Sequence, residues 1–167
     1  MQLTGLFISE LEREAGLSHR VLERVPEGKN EWQPHPKSMR LGYLAALVAM
    51  MPGWIEMMVN QDELDFASPG RYKTQAMNST HELVNSHDSW VKQAREALSK
   101  TTDDHLITPW RIRAGAHVIS EQPRHIFIRD AVFSHLAHHR GQLTVYLRLN
   151  DVAVPAIFGP SADEGGM

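Results

Sequence analysis

The chain has no cysteine among its 167 residues, so disulfide bonds and thiolate metal ligands are excluded. It also has no excess of positive charge, because its net charge is −3 and its lysines and arginines are scattered. A nucleic-acid-binding protein needs a basic surface, and a membrane-spanning helix needs about 20 apolar residues in a row. The first ten residues lack the basic region of a signal peptide. We therefore expect a cytoplasmic protein with neither nucleic-acid nor membrane partners, whose metal ligands can only be His, Asp or Glu.

The length and the 42% hydrophobic content predict one globular domain over residues 1–167. Apolar residues recur at helical spacing in four long segments, at about 4–24, 39–59, 79–99 and 123–149. The second segment has no charged residue from 41 to 55 and contains Pro52, which predicts a buried helix with a kink. Residues 60–78 are predicted to be a long loop, and residues 101–122 a long loop or a short hairpin before the last helix. The predicted fold class is all-α, a four-helix bundle.

Three histidines lie within five residues of the last predicted helix. His135 and His139 are four residues apart, so their side chains lie one above the other on one helix face. Two imidazoles placed in this way can bind one metal ion, whereas His138 lies about 100° away around the helix. Two hydrogen-bonded core histidines would give the same pattern, since a metal site needs further ligands. Those ligands must come from elsewhere in the chain.

Several motifs, spread over nearly the full length, together resemble the DinB/YfiT-like superfamily of four-helix-bundle proteins. They are Val-Leu-Glu-Arg-Val-Pro at 21–26, Trp-Gln-Pro-His-Pro-Lys-Ser-Met at 32–39, Leu-Gly-Tyr-Leu at 41–44, Pro-Gly-Trp at 52–54, His-Leu-Ala-His-His-Arg-Gly-Gln at 135–142, Tyr-Leu-Arg at 146–148 and Phe-Gly-Pro-Ser-Ala-Asp-Glu at 158–164. The resemblance implies a divalent ion, often nickel or zinc, bound by three histidines. Two of them match His135 and His139, and the third is expected on the second helix.

The third histidine is where this chain departs from the family pattern. The expected position is occupied by Leu47, and the second predicted helix contains no histidine. Apolar lining disfavours a charged ion, so we expect metal to bind weakly or not at all unless another residue completes the site. The candidates for a replacement ligand are His87, His35 and His138.

Two functions remain open at the level of the sequence. The resemblance implies a metal-dependent enzyme of the thiol-transferase type, related to maleylpyruvate isomerases, that activates a thiol such as bacillithiol or mycothiol. Arg124, Arg140 and Gln142 are then candidate substrate-binding residues. The simpler interpretation of each is a first-turn surface charge, an exposed ion-pair partner and a helix-surface amide. The alternative function is a non-catalytic, metal-free bundle that serves as a small-molecule-binding or stress-related scaffold, and a homodimer is expected.

Overall fold

The computed structural model describes residues 2–68 and 74–165. The elements in these ranges are α1 Leu3–Leu22, α2 Leu41–Met50, α3 Gly53–Asn60, β1 Glu63–Asp65, α4 Thr80–Lys100, α5 Asp103–Leu106, β2 Pro109–Ala114, β3 His117–Pro123, α6 Arg124–Phe127, a π-helical segment Ile128–Ser134 and α7 His135–Leu149. Four helical units pack against one another: α1, the α2–α3 pair, α4, and the rod formed by α6, the π segment and α7. This arrangement agrees with the predicted bundle.

The expectation of an all-α fold is wrong, because the three strands form a small mixed sheet in the order β1-β2-β3. Strands β2 and β3 form the hairpin foreseen as one of two alternatives, and the turn between them includes Gly115 at a φ of 60°. Strand β1 lies in the segment predicted to be a loop and pairs in parallel with β2. The strand is anchored by the buried side chain of Leu64 and by an ion pair of 2.7 Å between Glu63 and Arg113. A strand of three residues is too short to show an alternation of apolar and polar side chains, and its partner strand is distant in sequence, so β1 could not be predicted.

The first and third predicted helices are confirmed as α1 and α4, within two residues at each end. Helix α4 begins with a reciprocal cap: the Ser79 hydroxyl accepts the Glu82 N–H, and the Glu82 carboxylate accepts the Asn78 N–H. Helix α1 has no such local cap. Its Leu3 and Thr4 N–H groups donate to the Asp103 carboxylate, at 2.9 and 3.0 Å.

The predicted kink in the second helical segment is confirmed, because α2 and α3 meet at a bend of 48°. Pro52 lies at the break, where its missing N–H does not interrupt either helix. Gly53 then lets α3 approach α4 closely, since a Cβ at this position would come within 2.9 Å of Trp90 Cδ2. No single helix in the described ranges is long and apolar enough to cross a membrane, and α2 with α3 meets that requirement only as a bent pair.

The last long helix is not α-helical throughout. Its π segment ends at Ser134, immediately before His135, and buries Ile128, Val132 and Phe133. A π turn bonds each N–H to the carbonyl five residues earlier, and such turns are frequent at functional sites. Nothing in the amino-acid pattern indicated this departure from the predicted continuous helix.

The apolar core consists of two adjoining clusters. The first includes Phe7, Leu11, Ile55, Trp110, Ile128 and Phe133. The second includes Leu22, Leu44, Leu47, Leu83, Leu136 and Leu143. Trp54 of α3 packs against both clusters, so it lies where the two halves of the core meet.

Candidate functional site

His135 and His139 lie on one face of α7, as their spacing predicted. Their Nε2 atoms are 2.8 Å apart and their ring centroids 4.5 Å apart. The His139 side chain is buried, whereas that of His135 is half-buried. The ring of Trp54 lies 5.9 Å from the His135 ring, between centroids. The pair therefore faces the α3 side of the bundle, beside the junction of the two core clusters.

The second nitrogen of each ring is also engaged. His139 Nδ1 lies 2.7 Å from Gln142 Oε1, and His135 is hydrogen-bonded to the Ala131 carbonyl. The tautomers of the two rings decide which group donates in each contact. When the Gln142 amide N–H donates to His139 Nδ1, His139 Nε2–H donates to His135 Nε2, and the contact between the rings is an ordinary hydrogen bond. When the Gln142 amide oxygen accepts from His139 Nδ1–H instead, the two Nε2 lone pairs face each other, and a proton or a cation bound to both nitrogens satisfies them.

A second proton is disfavoured at His135. Burial lowers the pKa of this imidazole, and the neighbouring rings of His139 and His138 lower it further when they are charged. The hydrogen bond to Ala131 acts in the opposite direction and is a smaller cause. The neutral form of His135 is thus favoured near pH 7.

Leu47 occupies the position where a second-helix histidine was expected. Its side chain is buried within the second core cluster, together with Leu136 and Leu143 of α7. An aliphatic group with these neighbours contributes packing and no ligand atom. This position therefore offers the histidine pair no third imidazole.

The three histidines named as replacement ligands lie elsewhere. His35 is exposed and its Nδ1 accepts the Lys37 N–H, while His138 is exposed beside the pair. His87 is 1% exposed, and its Nδ1 is hydrogen-bonded to Asp88. In the part of the chain that the structure describes, none of the three forms a three-ligand group with the pair.

Arg124 is buried rather than a first-turn surface charge, with 2% of its side chain exposed. Its Nε donates to the Met58 carbonyl at 3.0 Å, and its Nη1 donates to Thr108 Oγ1 at 2.6 Å and the Pro109 carbonyl at 2.7 Å. An ion pair with Asp62 completes the network. The interpretation of Arg124 as a surface charge is wrong. The end of α3 and the start of β2 place several carbonyl groups close together, and these groups need hydrogen-bond donors. This guanidinium holds the start of the last rod in place.

Arg140 is also buried, with 2% of its side chain exposed, so the interpretation as an exposed ion-pair partner is wrong. Its Nη2 lies 2.6 Å from the carboxylate of Glu14, which is buried as well. Its Nη1 donates to Ser18 Oγ at 3.2 Å, and the ring of Phe158 lies 5.5 Å from its Cζ. The guanidinium joins α7 to α1 inside the protein.

Gln142 is exposed on α7, as its interpretation as a helix-surface amide predicted. The structure adds one contact, the hydrogen bond between Gln142 and His139 Nδ1. Of the three candidate substrate-binding residues, Gln142 is the one that touches the histidine pair. The bond orients the ring of His139, a role typical of the partners of metal-binding histidines.

Two further features have the dimensions of a site. A cleft of about 370 Å³ lies between α1 and the π segment, and Phe7, Phe133 and Phe158 contribute to its lining. Separately, His19, His87 and Asp88 bring their donor atoms within 4.8 Å of one another. The sequence did not indicate the second group, since no spacing rule connects residue 19 with residue 87.

Comparison with known proteins supports the fold. No family model matches the chain. It is 23% identical over 158 residues to an uncharacterized protein, YrdA of Bacillus subtilis (strain 168), covering 95% of this chain and 89% of that protein. A DinB-like protein from Bacillus cereus ATCC 10987 matches its structure with a TM-score of 0.69 and 20% identity, over 91% of this chain and 95% of the other. A DinB-like protein from Bacillus subtilis, YjoA, matches its structure with a TM-score of 0.70 and 14% identity, over 91% of this chain and 97% of the other. These likenesses confirm the DinB-like fold.

Proposed function

We propose that this DinB-like chain binds a first-row divalent ion through His135 and His139, and that its chemistry is of the thiol-transferase type. One observation carries the proposal: the two Nε2 atoms are 2.8 Å apart while the other nitrogen of each ring is already hydrogen-bonded. Two imidazole nitrogens that converge in this way are positioned to bind one cation in place of the hydrogen bond between them. Imidazole nitrogen is a good ligand for both zinc and nickel.

Two neighbours of the pair support the proposal. Gln142 can accept a proton held on His139 Nδ1, and in that tautomer the Nε2 lone pair of His139 is directed at His135 Nε2 and at a shared ion. Trp54 forms an aromatic wall beside His135, and its indole N–H is buried without a partner among the described residues. A divalent ion, when bound, supplies a lowered thiol pKa and hence a thiolate nucleophile.

The pocket should bind metal more weakly than a three-histidine site. Losing even the hydrogen-bond partner of one ligand weakens metal affinity roughly 10- to 100-fold, and here a whole imidazole is replaced by Leu47. Water or donor atoms of the small molecule must then fill the remaining coordination positions. We therefore expect metal and thiol to bind cooperatively, each raising the affinity for the other.

The test is calorimetric titration of the untagged protein with Ni²⁺ and Zn²⁺, with and without a low-molecular-weight thiol. We expect weak binding by the parent, at least tenfold tighter binding by Leu47→His, and loss of this binding in His139→Ala. Leu47→Gln is the matched control, because it adds polarity at the same position without an imidazole. If Leu47→His binds no better than Leu47→Gln, the third position is assigned wrongly.

A second candidate function is a metal-free, small-molecule-binding scaffold. The aliphatic surroundings of Leu47 favour it, as does the cleft of about 370 Å³, which is within the usual range for ligand pockets. In this case Ni²⁺ and Zn²⁺ leave the melting temperature unchanged, while a small molecule found by screening raises it. Phe158→Ser should weaken that shift. The homodimer and the lack of nucleic-acid and membrane partners remain predictions.

A further inference from the structure

A second group of metal-binding side chains lies between α1 and α4, away from the α7 pair. His19 Nδ1 is 3.0 Å from Asp88 Oδ1, and His87 Nδ1 is 3.1 Å from the same oxygen. The ring centroids of the two histidines are 6.2 Å apart. Two imidazoles from different helices thus converge on one carboxylate oxygen.

The two separations from Asp88 Oδ1 match those of donors on one ion, and all the donor atoms lie within 4.8 Å of one another. Zinc lies about 2.0–2.2 Å from imidazole nitrogen and carboxylate oxygen. At tetrahedral or octahedral angles, two such donors are therefore roughly 2.9–3.5 Å apart. Two imidazoles with one carboxylate are the donor set of open zinc sites and of several iron(II) sites.

One histidine of the group has a carboxylate neighbour outside it. His19 Nε2 lies 3.4 Å from the Glu23 carboxylate, one helical turn further along α1. That carboxylate favours a proton on Nε2, and the Nδ1 lone pair is then directed at the group, as in many metal sites. Glu23 therefore has the position of an orienting partner rather than a ligand.

His87 is the buried member of the group. Its side chain is 1% exposed, and its Nδ1 lies 3.1 Å from the shared carboxylate oxygen. Its Nε2 is buried on the other side of the ring, with no hydrogen-bond partner in the described residues. Nδ1 is therefore the nitrogen that the ring presents to the group.

We propose that His19 Nδ1, His87 Nδ1 and Asp88 Oδ1 bind a divalent first-row transition-metal ion, at a site separate from the α7 pocket. The side chains of His19 and Asp88 are 34% and 54% exposed, so one side of the ion faces solvent. Water or an exogenous ligand completes the coordination there.

The test uses the full chain with His135→Ala, which removes one ligand of the α7 pocket. Co²⁺ binding is followed by visible absorption and Zn²⁺ binding by competition with it. We expect about one equivalent of Zn²⁺ in this background. His19→Ala and Asp88→Asn should each weaken binding at least tenfold, while His117→Ala, which removes an exposed histidine on β3, should leave it unchanged.

The two sites can be distinguished by the same set of variants. Zn²⁺ binding that His135→Ala abolishes would overturn the α1–α4 site and assign the ion to the α7 pair. Zn²⁺ binding in the His135→Ala background that His19→Ala and Asp88→Asn leave unaltered would also overturn the α1–α4 site, and would leave the α7 proposal as it was. Both variants change partly exposed side chains, so circular dichroism should show an intact fold. His87→Gln replaces a buried ring. A loss of Zn²⁺ binding in this variant supports the site only if the melting curve of the variant shows a folded protein.

Discussion

Breaking the buried ion pair between Arg140 and Glu14 should destabilise the protein strongly. Arg140→Met keeps most of the side-chain length but removes the charge, so the Glu14 carboxylate stays buried with its 2.6 Å partner gone. The Ser18 hydroxyl loses a donor at the same time. Glu14→Leu produces the opposite defect, a buried guanidinium without a carboxylate. Each change leaves an uncompensated charge in the interior, which is the costly state.

The expected loss is about 3–5 kcal/mol for either single substitution, a large share of the roughly 5–15 kcal/mol that stabilises a typical domain. For a chain of this size the melting temperature should fall by about 6–20 °C. The double variant leaves neither charge buried. Glu14→Leu with Arg140→Met should therefore be more stable than Arg140→Met alone, although it carries one substitution more.

Urea unfolding followed by circular dichroism gives the four free energies of the cycle. Arg129→Met is the matched control, because it removes an exposed arginine from the π segment of the same rod, and it should stay within about 0.5 kcal/mol of the parent. Additive costs in the double variant would refute the reasoning. An Arg140→Met protein that lost ligand binding at unchanged stability would instead show that Arg140 serves the substrate.

Three further predictions concern packing, hydrogen bonding and pH. Gly53→Ala should lower the free energy of unfolding by about 1–3 kcal/mol, because the added methyl meets an indole ring. Gly16→Ala, where the methyl enters open space, should raise it by about 0.5–1 kcal/mol. Thermal denaturation compares the two variants, and equal effects would contradict the close packing at Gly53. Arg124→Lys cannot reproduce five hydrogen bonds and should lower the urea midpoint. The hydrogen bond from Arg148 lowers the pKa of the Asp163 carboxyl. The stability that this ion pair contributes is therefore fully present above the ordinary Asp pKa of about 3.9, and it is lost as the pH falls through the lowered pKa. Arg148→Gln should raise the carboxyl titration midpoint seen by NMR, and an unchanged midpoint would exclude this cause.

The parts of the fold that could be predicted from sequence are those with strong local signals. Helical spacing was sufficient for α1 and α4, and Pro52 was sufficient for the bend between α2 and α3. The contact between His135 and His139 also follows from local geometry, because residues four apart on a helix are neighbours. Each of these features depends on residues within a few turns of one another.

The parts that escaped prediction depend on distant contacts. The burial of Arg124 and Arg140 is set by carbonyls and a carboxylate from other elements, so their charge alone suggested exposed positions. The group of His19, His87 and Asp88 forms only when α1 and α4 pack together. The periodicity of a single sequence does not indicate which residues of two different helices come into contact, and the motifs shared with DinB-like proteins indicate a site only on α7.

The π segment has a consequence for how chains of this fold can gain and lose residues. A residue added to or removed from an α-helix rotates everything beyond it by about 100°, whereas a π turn absorbs one extra residue locally. Arg124, before the segment, is fixed by its hydrogen bonds, and His135, directly after it, must still face Trp54 of α3. A relative whose last rod is α-helical throughout should therefore be one residue shorter between these two positions. When such a relative is aligned with this chain, its sequence should show a one-residue gap within 128–134, and the residues on either side of the gap should keep their orientation.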